Sequence, residues 1–393
     1  MDNNFFASAS AAPAPRRLAL EFTGSGSEYF RIWIVNLLLI VVTLGIYYPW
    51  ARVRKLRYFY ANTLVGGDAL GFHGNPKSMF RGYALMGGLG LAYSVASNFS
   101  PIAGLIALFA LFAVGPALWR AGLQFRLSNT SWRGLRFSFA GGMADAYKTQ
   151  LPVLVPLLGL ILVGVVAGAM AAPGADGAAK PPGGALLVGL GLAPLVLIAC
   201  SAYSFWRMKL YQHSHYRLGT LQTRFTAVFG SFVKLFLKGI GLMFVVGFLV
   251  GIVGGMGAGV FGRGSGSGFL TVFLGLLVGL VVVAMLLATL KPWLVARLQN
   301  LVWNHTGNDE LQFNSALKAR SFIGLSFKNW LLIFFTLGFY WPFAAIAVAR
   351  LRLEAMRIDL NIDPDSLSAD RIGGKVGATG EAAGDLFGLD IGL

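Results

Sequence analysis

Residues 43–60 read TLGIYYPWARVRKLRYFY, and the fold of the chain depends on how this stretch is interpreted. An apolar run ends at Thr43-Leu44-Gly45, Pro49 follows, and the sequence then becomes basic and aromatic. Glycine and proline in an apolar helix mark a break or an end of that helix. The stretch is therefore either the end of a helix that has crossed a membrane or a turn that sends the chain back.

A near copy of this stretch lies close to the other end of the chain. Residues 336–343, TLGFYWPF, match residues 43–50 position by position, and Asn329 falls where Asn36 does. Basic residues flank the second copy on both sides, which favours a return to the starting side.

A helix from Ile32 to Thr43 would be only about 18 Å long, too short to cross a bilayer. Such turns would have to be buried in the bundle, because their freed backbone groups need cover by protein or water. Both alternatives, spanning and re-entrant, stay open.

The composition is typical of a bilayer protein. Of 393 residues 56% are hydrophobic and 12% are charged, and the mean hydropathy is +0.67; soluble domains have about 25% charged residues. Crossing the hydrocarbon takes about 20 apolar residues. The sequence therefore predicts an all-α polytopic membrane protein with two Gly/Pro-broken segments, spanning or re-entrant, and six transmembrane helices near Tyr83–Asn98, Pro101–Trp119, Leu151–Ala172, Ala185–Trp206, Phe232–Ala258 and Phe269–Leu290.

The formal charge of +16 is concentrated in alternate connections. Residues 52–81, 120–148, 207–238 and 291–328 hold most of the lysines and arginines, whereas the outer connections hold few. This positive-inside pattern predicts cytoplasmic basic loops and anionic lipid headgroups as partners, with no nucleic acid.

The basic connections share one plan. Each begins with tryptophan and arginine, which are expected at the lipid headgroups: Trp50, Arg52, Arg54, Arg57, Trp119, Arg120, Trp206, Arg207, Trp293 and Arg297. A polar pair and a phenylalanine follow, for example Asn62-Thr63 and Phe72. Short Phe-rich hairpins at the cytoplasmic surface, in a module that recurs four times, are therefore predicted.

The chain divides into three parts by composition. Residues 1–20 are predicted to be a disordered tail, 21–357 a membrane domain with degenerate internal repeats, and 358–393 a disordered, acidic and Gly/Ala-rich tail.

About the first 80 residues resemble the YjgN family of bacterial inner-membrane proteins, and the later segments extend the resemblance more loosely to about residue 357. The motifs that carry it include Glu28-Tyr29-Phe30, Ile32-Trp33, Asn36, residues 43–52, Tyr58-Phe59-Tyr60, Asn62-Thr63 and Gly71-Phe72. The resemblance implies a multi-pass protein of the bacterial inner membrane and brings no substrate or catalytic residue.

No catalytic constellation is visible, so we predict no enzyme, no cofactor and no metal site. Cys200 is the single cysteine, and no acidic residue falls inside a predicted span. Polar groups at membrane depth cluster instead at the two broken segments. The candidate pathway positions are Asn36, Thr43, Gly45, Tyr47, Pro49, Asn329, Thr336, Gly338, Tyr340 and Pro342.

Two functions fit these observations. The first is a transporter or channel-like protein for a solute or lipid, because repeats and broken helices are common among transporters. The second is a non-transporting membrane organiser that binds anionic lipid or a partner protein through its basic and aromatic modules. Glycines spaced by four, such as Gly164 and Gly168, are compatible with packing within the chain or in a homo-oligomer.

Overall fold

The structure is a computed structural model that describes residues 16–171, 184–261 and 268–362. In these ranges the order strand, helix, helix, strand occurs five times, and we number these units 1 to 5. Unit 1 contains β1 (Arg16–Phe22), α1 (Gly26–Val42), α2 (Tyr48–Ala61) and β2 (Thr63–Val65). Unit 2 contains β3 (Asp68–Phe72), α3 (Pro76–Phe99), α4 (Pro101–Ser128) and β4 (Thr130–Trp132). Unit 3 contains β5 (Leu135–Phe139), α5 (Met143–Ala171), α6 (Gly184–Ser214) and β6 (Tyr216–Leu218). Unit 4 contains β7 (Leu221–Gln222), β8 (Arg224–Phe225), α7 (Phe229–Phe261), α8 (Gly268–Trp303) and β9 (Thr306–Gly307). Unit 5 contains β10 (Leu311–Ser315), α9 (Ala319–Phe335), α10 (Trp341–Leu353) and β11 (Met356–Leu360).

The strands form one antiparallel sheet that comes back to its starting point. Its order is β7-β6-β5-β4-β3-β2-β1-β11-β10-β9-β8. Only Thr223 separates β7 from β8, so the two ends of this order are adjacent in the chain. Strand β1 pairs with β11 through Arg16–Ala19 and with β2 through Leu20–Phe22, which brings the two ends of the described chain together. We call this closed arrangement the barrel-like sheet.

The prediction of an all-α protein is wrong. The described residues contain an 11-stranded sheet, where the sequence suggested only separate surface hairpins. A short hairpin leaves unpaired N–H and C=O groups on both edges, and pairing with the hairpins of the neighbouring units satisfies them. These pairings join residues far apart in the chain, such as Phe72 with Thr130 and Phe139 with Tyr216, so local patterns do not reveal them.

The number of transmembrane helices also differs from the prediction. In the part of the chain that the structure describes, four helical segments, not six, are long and apolar enough to cross a membrane: Pro101–Ser128, Met143–Gly168, Gly191–Ser214 and Phe229–Leu249. The predicted span Tyr83–Asn98 lies in α3, where glycine, serine and asparagine lower the hydropathy. The predicted span Phe269–Leu290 lies in α8, and most of its side chains are outside the described ones.

The helices form a ring above the sheet. Each helix packs against the next in the chain, and α1 packs against α10, which closes the ring. We call α2, α4, α6, α8 and α10, the second helix of each unit, the returning helices.

Polar residues at the ends of the returning helices act as caps. The Asn62 amide donates to the Tyr58 carbonyl at 2.8 Å, and the Thr63 hydroxyl donates to the Phe59 carbonyl at 2.8 Å. Asn129 and Thr130 repeat both bonds in α4. These side chains satisfy carbonyls that a helix end leaves without partners, which explains the recurrent polar pair.

A repeated hydrogen bond joins neighbouring units. A side chain on each returning helix donates to a backbone carbonyl in the connection that leads into the first helix of the next unit. The pairs are Arg57 with Gly74 (3.2 Å), Arg120 with Gly141 (2.8 Å), Trp206 with Ala227 (2.9 Å), Asn300 with Leu317 (2.9 Å) and Arg350 with Gly24 (2.9 Å). The last pair joins unit 5 to unit 1.

Candidate functional site

A cavity of about 280 Å³ lies inside the barrel-like sheet and reaches the ends of the returning helices. Alternate strand residues face inward, and those that line the sheet side are largely apolar, although Arg217 and several threonines also contribute. Six of the apolar residues are Leu20, Val65, Trp132, Phe137, Leu221 and Phe313. We call this space the barrel cavity.

A second cavity, of about 420 Å³, adjoins the first between α2, α9 and α10. The two cavities share lining residues, among them Arg126, Gln299, Trp303 and Arg352. We call the second space the hairpin cavity, because the helical hairpins of units 1 and 5 border it.

Each returning helix contributes lining residues at two positions, four and seven residues before the first residue of the unit's last strand, and five of these ten residues are polar or charged. These positions lie on one helix face, because residues three apart are neighbours on a helix. They are Leu56 and Phe59, Leu123 and Arg126, Lys209 and Gln212, Gln299 and Val302, and Ala349 and Arg352. No aspartate or glutamate is among the described residues that line either cavity. Sequence reasoning missed Arg126, Lys209, Gln299 and Arg352, because their common spacing becomes visible only when the start of each unit's last strand is known.

Neutral side chains hold the cations in place. Arg352 Nε donates to Gln299 Oε1 at 2.8 Å, and Gln299 Nε2 donates to the Arg352 carbonyl at 3.0 Å. Lys209 is 6% exposed, and its Nζ donates to Gln212 Oε1 at 3.2 Å. These amides orient the two basic side chains toward the cavity wall.

Tyr216 and His213 complete the wall beside Lys209. Gln212 Nε2 donates to the Tyr216 hydroxyl at 2.6 Å, and burial raises the pKa of this phenol above its ordinary value, so it stays neutral. The His213 ring is buried and lies 3.1 Å from the Thr306 hydroxyl. The wall is therefore neutral apart from its basic side chains.

Asn329 is the candidate pathway residue that lines a cavity, the hairpin cavity. It is 5% exposed, and neither its Oδ1 nor its Nδ2 has a hydrogen-bond partner among the described residues. Its counterpart Asn36 is also buried, but Asn36 Oδ1 accepts a hydrogen bond from Arg54 at 3.4 Å. The residue in unit 5 that corresponds to Arg54 is Ala347.

The remaining candidate positions belong to turns between antiparallel helices. Leu44 has φ 50° and Gly45 φ 90°, and the second turn repeats these angles at Leu337 (50°) and Gly338 (93°). The expectation that these turns are buried is wrong, because Leu44 is 93% and Leu337 is 89% exposed. Each broken segment leaves the sheet and returns to it, as the re-entrant alternative requires. The two described cavities are not lined by any other candidate pathway position. These positions are Asn36, Thr43, Gly45, Tyr47, Pro49, Thr336, Gly338, Tyr340 and Pro342.

The residues expected at lipid headgroups have diverse surroundings. Trp119 and Arg52 are buried and line the cavities, and Arg57, Arg120 and Trp206 make the bonds between units. Trp50 packs against Phe80 with ring centroids 5.8 Å apart. Trp293 packs in the core of unit 4, and Arg207 is half-buried. Arg297 is exposed.

Comparison with known proteins identifies the family. Residues 17–386 match a family described as "Bacterial protein of unknown function (DUF898)". The protein "Inner membrane protein YjgN" of Salmonella typhimurium is 34% identical over 139 residues, 35% of each chain. Proteins of the same name from Escherichia coli O157:H7 and Escherichia coli K12 are 30% and 31% identical over 141 and 140 residues, again 35% of each chain.

The aligned region is thus about a third of each of these relatives. No solved structure matches. The matches confirm the resemblance to YjgN, and since the family model covers most of its length, the chain belongs to the DUF898 family, whose curated relatives are inner-membrane proteins.

Proposed function

We propose that this protein binds an anionic amphiphile from the inner-membrane bilayer, with the acidic group at the ends of the returning helices and the apolar part in the adjoining cavities. The observation that carries the proposal is the lining: apolar walls with Arg126, Lys209 and Arg352, and no carboxylate among the described lining residues. A ligand site that is mostly apolar and has a few convergent polar groups is the usual form of a small-molecule site.

The apolar interior of the barrel-like sheet favours a lipid-like ligand over an inorganic ion. Leu18, Val65, Trp132 and Leu221 belong to one buried cluster that extends across the sheet. These four side chains also line the barrel cavity, where an inorganic ion would find few polar groups to replace its hydration shell. An acyl chain, in contrast, is compatible with apolar walls.

A route from the bilayer is open at the short hairpins. Helices α1 and α10 have 17 and 13 residues, or about 25 and 20 Å, whereas α5 and α6 have 29 and 31, or about 45 Å. Because α1 packs against α10, the two short hairpins are neighbours in the helix ring. The ring extends less far from the sheet there than at the long helices. The hairpin cavity is lined by α2, α9 and α10 of this segment, so a lipid could enter over it.

We place the sheet on the cytoplasmic side of a multi-pass protein, because the basic residues concentrate in the connections that form it. In this arrangement the units are degenerate copies of one module. Each copy crosses or enters the membrane and returns to the cytoplasmic side. This placement supports transport of lipid between the bilayer and the barrel and hairpin cavities on the cytoplasmic side. The alternative is an organiser that retains lipid without moving it.

Native mass spectrometry of the purified protein tests the binding. Phosphatidylglycerol should bind more tightly than phosphatidylcholine of the same acyl chains. Arg126→Gln or Arg352→Gln should each weaken phosphatidylglycerol binding about tenfold or more, since a hydrogen bond to a charged group contributes about 1.5–3 kcal/mol. Arg297→Gln, on the exposed face of α8, is the matched control and should have no effect.

Equal affinity for the two lipids in the wild type would overturn the proposal. Reconstitution in vesicles then separates the two roles, because a transporter moves fluorescent phosphatidylglycerol between leaflets whereas an organiser only retains it.

A further inference from the structure

We infer that the hairpin cavity recognises an anionic lipid by hydroxyl groups beside its phosphate, as in phosphatidylglycerol, through the amide of Asn329. This inference rests on the proposed function and deepens it, because it names the headgroup.

The first step is the state of the Asn329 side chain. It is 5% exposed and lines the hairpin cavity, and both of its amide atoms are without a hydrogen-bond partner among the described residues. Buried side-chain amides are normally hydrogen-bonded, and one without protein partners needs a partner of another kind, such as a water, an ion or a ligand.

The second step is the comparison with unit 1. Asn36 has the same register position, is equally buried at 6% exposed, and bonds to Arg54. In unit 5 the register places Ala347 where unit 1 has Arg54. The fold can therefore supply a hydrogen-bond partner for an asparagine at this position. The lack of a described partner at Asn329 is specific to unit 5, where the side chain lines the hairpin cavity.

The third step is the chemistry of the partner. An asparagine amide offers an acceptor oxygen and donor hydrogens, and a hydroxyl group is matched to both because it donates and accepts. A phosphodiester only accepts, so it would leave the Asn329 oxygen unsatisfied. An ammonium headgroup only donates, and Arg52 and Lys55 on the same cavity wall would repel it.

The fourth step is the rest of the wall. Lys55 Nζ lies 5.6 Å from the ring centroid of Trp341 and 5.8 Å from that of Phe59, so its charge is held beside the cavity. Trp330 and Ile333 add apolar surface. A volume of about 420 Å³ falls within the range of about 300–1,000 Å³ of small-molecule sites. Basic groups, an open amide and an apolar wall together fit a phosphate, a hydroxylated substituent and the start of an acyl chain.

The experiment compares two lipids that differ only in the headgroup hydroxyls. Phosphatidylglycerol and phosphatidylpropanol carry the same phosphodiester charge, and the second lacks both hydroxyls. In native mass spectrometry the wild type should prefer phosphatidylglycerol by about five- to tenfold, as expected for two neutral hydrogen bonds. Asn329→Leu should bind both lipids with the affinity that the wild type has for phosphatidylpropanol, and the matched control Asn36→Leu should keep the preference.

The outcomes separate this inference from the proposed function. If the wild type binds both anionic lipids equally well and Asn329→Leu changes nothing, the hydroxyl recognition is overturned and the binding of anionic amphiphiles stands. If the wild type prefers neither anionic lipid over phosphatidylcholine, the proposed function fails as well.

Two further measurements complete the test. Should Asn329→Leu not fold, Asn329→Ala removes both the donor and the acceptor of the amide with a smaller side chain, and it should abolish the preference. Soluble glycerol 1-phosphate should not compete with the lipid at equal concentration; competition by it would show that a free polyol phosphate is the ligand and overturn the assignment to a lipid.

Discussion

The first and last hairpins share a backbone and differ in chemistry. Both turns have nearly the same dihedral angles. In both, a threonine hydroxyl donates to a carbonyl at 2.6 Å and accepts from an amide at 3.0 Å. Yet the buried asparagine bonds to Arg54 in the first hairpin and has no described partner in the last. The two turns are thus alike, and one side-chain difference, Arg54 against Ala347, separates an asparagine with a hydrogen-bond partner from one without a described partner.

The largest effect is expected at the hairpin tips. Leu44→Asp and Leu337→Asp should each reduce membrane insertion, because an aspartate exposed to lipid at the bilayer centre costs about 2.5–3.5 kcal/mol. Aspartate tolerates the left-handed backbone of these positions better than leucine does. A loss of insertion would therefore result from the contact with the membrane and not from strain in the turn. The measurement is the fraction of protein in purified membranes.

The control for the tips is Thr220→Asp, which adds the same charge at an exposed turn of the sheet. Normal insertion of both tip variants would contradict the placement of the hairpins in the bilayer.

The bonds between units should give the next largest effect. Arg57→Gln and Arg350→Gln remove equivalent donors to Gly74 and Gly24, and each should destabilise by about 1.5–3 kcal/mol as a charged hydrogen bond is lost. Thermal unfolding in one detergent measures both. Arg320→Gln, at an exposed position of α9, should leave the unfolding temperature unchanged. If only one of the equivalent variants is destabilised, the ring is not held by equivalent contacts.

The paired asparagines should respond in opposite directions. Asn36→Leu removes the acceptor of Arg54 and should destabilise by about 1–2 kcal/mol. Asn329→Leu removes an unbonded buried amide and should leave the lipid-free protein as stable or more stable. The same unfolding assay on delipidated protein checks both, and equal destabilisation of the two variants would remove the contrast between the hairpins.

The threonines of the turns should give the smallest and most equal effects. Thr43→Ala and Thr336→Ala each remove two hydrogen bonds of the same length, so each should cost about 1 kcal/mol. A serine at either position keeps the hydroxyl and serves as the control. Clearly different losses of stability in the two alanine variants would show that the two turns are not energetically equivalent despite their shared geometry.

Sequence reasoning found the helical hairpins better than the sheet. The copies TLGIYYPW and TLGFYWPF predicted two equivalent breaks, since glycine and proline act locally. The sheet was missed because its strands are only two to seven residues long and pair over long distances, as Trp132 does with Leu70. Pairing of that kind depends on the arrangement of all the units around the ring.

Sequence reasoning identified only part of the candidate site. Asn329 was identified from its match with Asn36, but the cations of the cavities were assigned to basic loops as a group. Arg57 and Arg350 illustrate the reason, because a charge count does not distinguish an arginine that bonds to a backbone carbonyl from one, such as Arg126, that lines a cavity. The distance to the unit's last strand does make that distinction, because Arg126 lies four residues before that strand whereas Arg57 and Arg350 lie six residues before it.

Photo-crosslinking tests the central claim most directly. Phosphatidylglycerol with a diazirine in its acyl chain is added to the protein in native membranes, and crosslinked peptides are identified by mass spectrometry. The account predicts crosslinks to cavity-lining peptides that contain Phe137, Trp303 or Trp330, and their loss in Arg126→Gln combined with Arg352→Gln. Crosslinks confined to the outward faces of α3 to α8, unchanged in that variant, would contradict it.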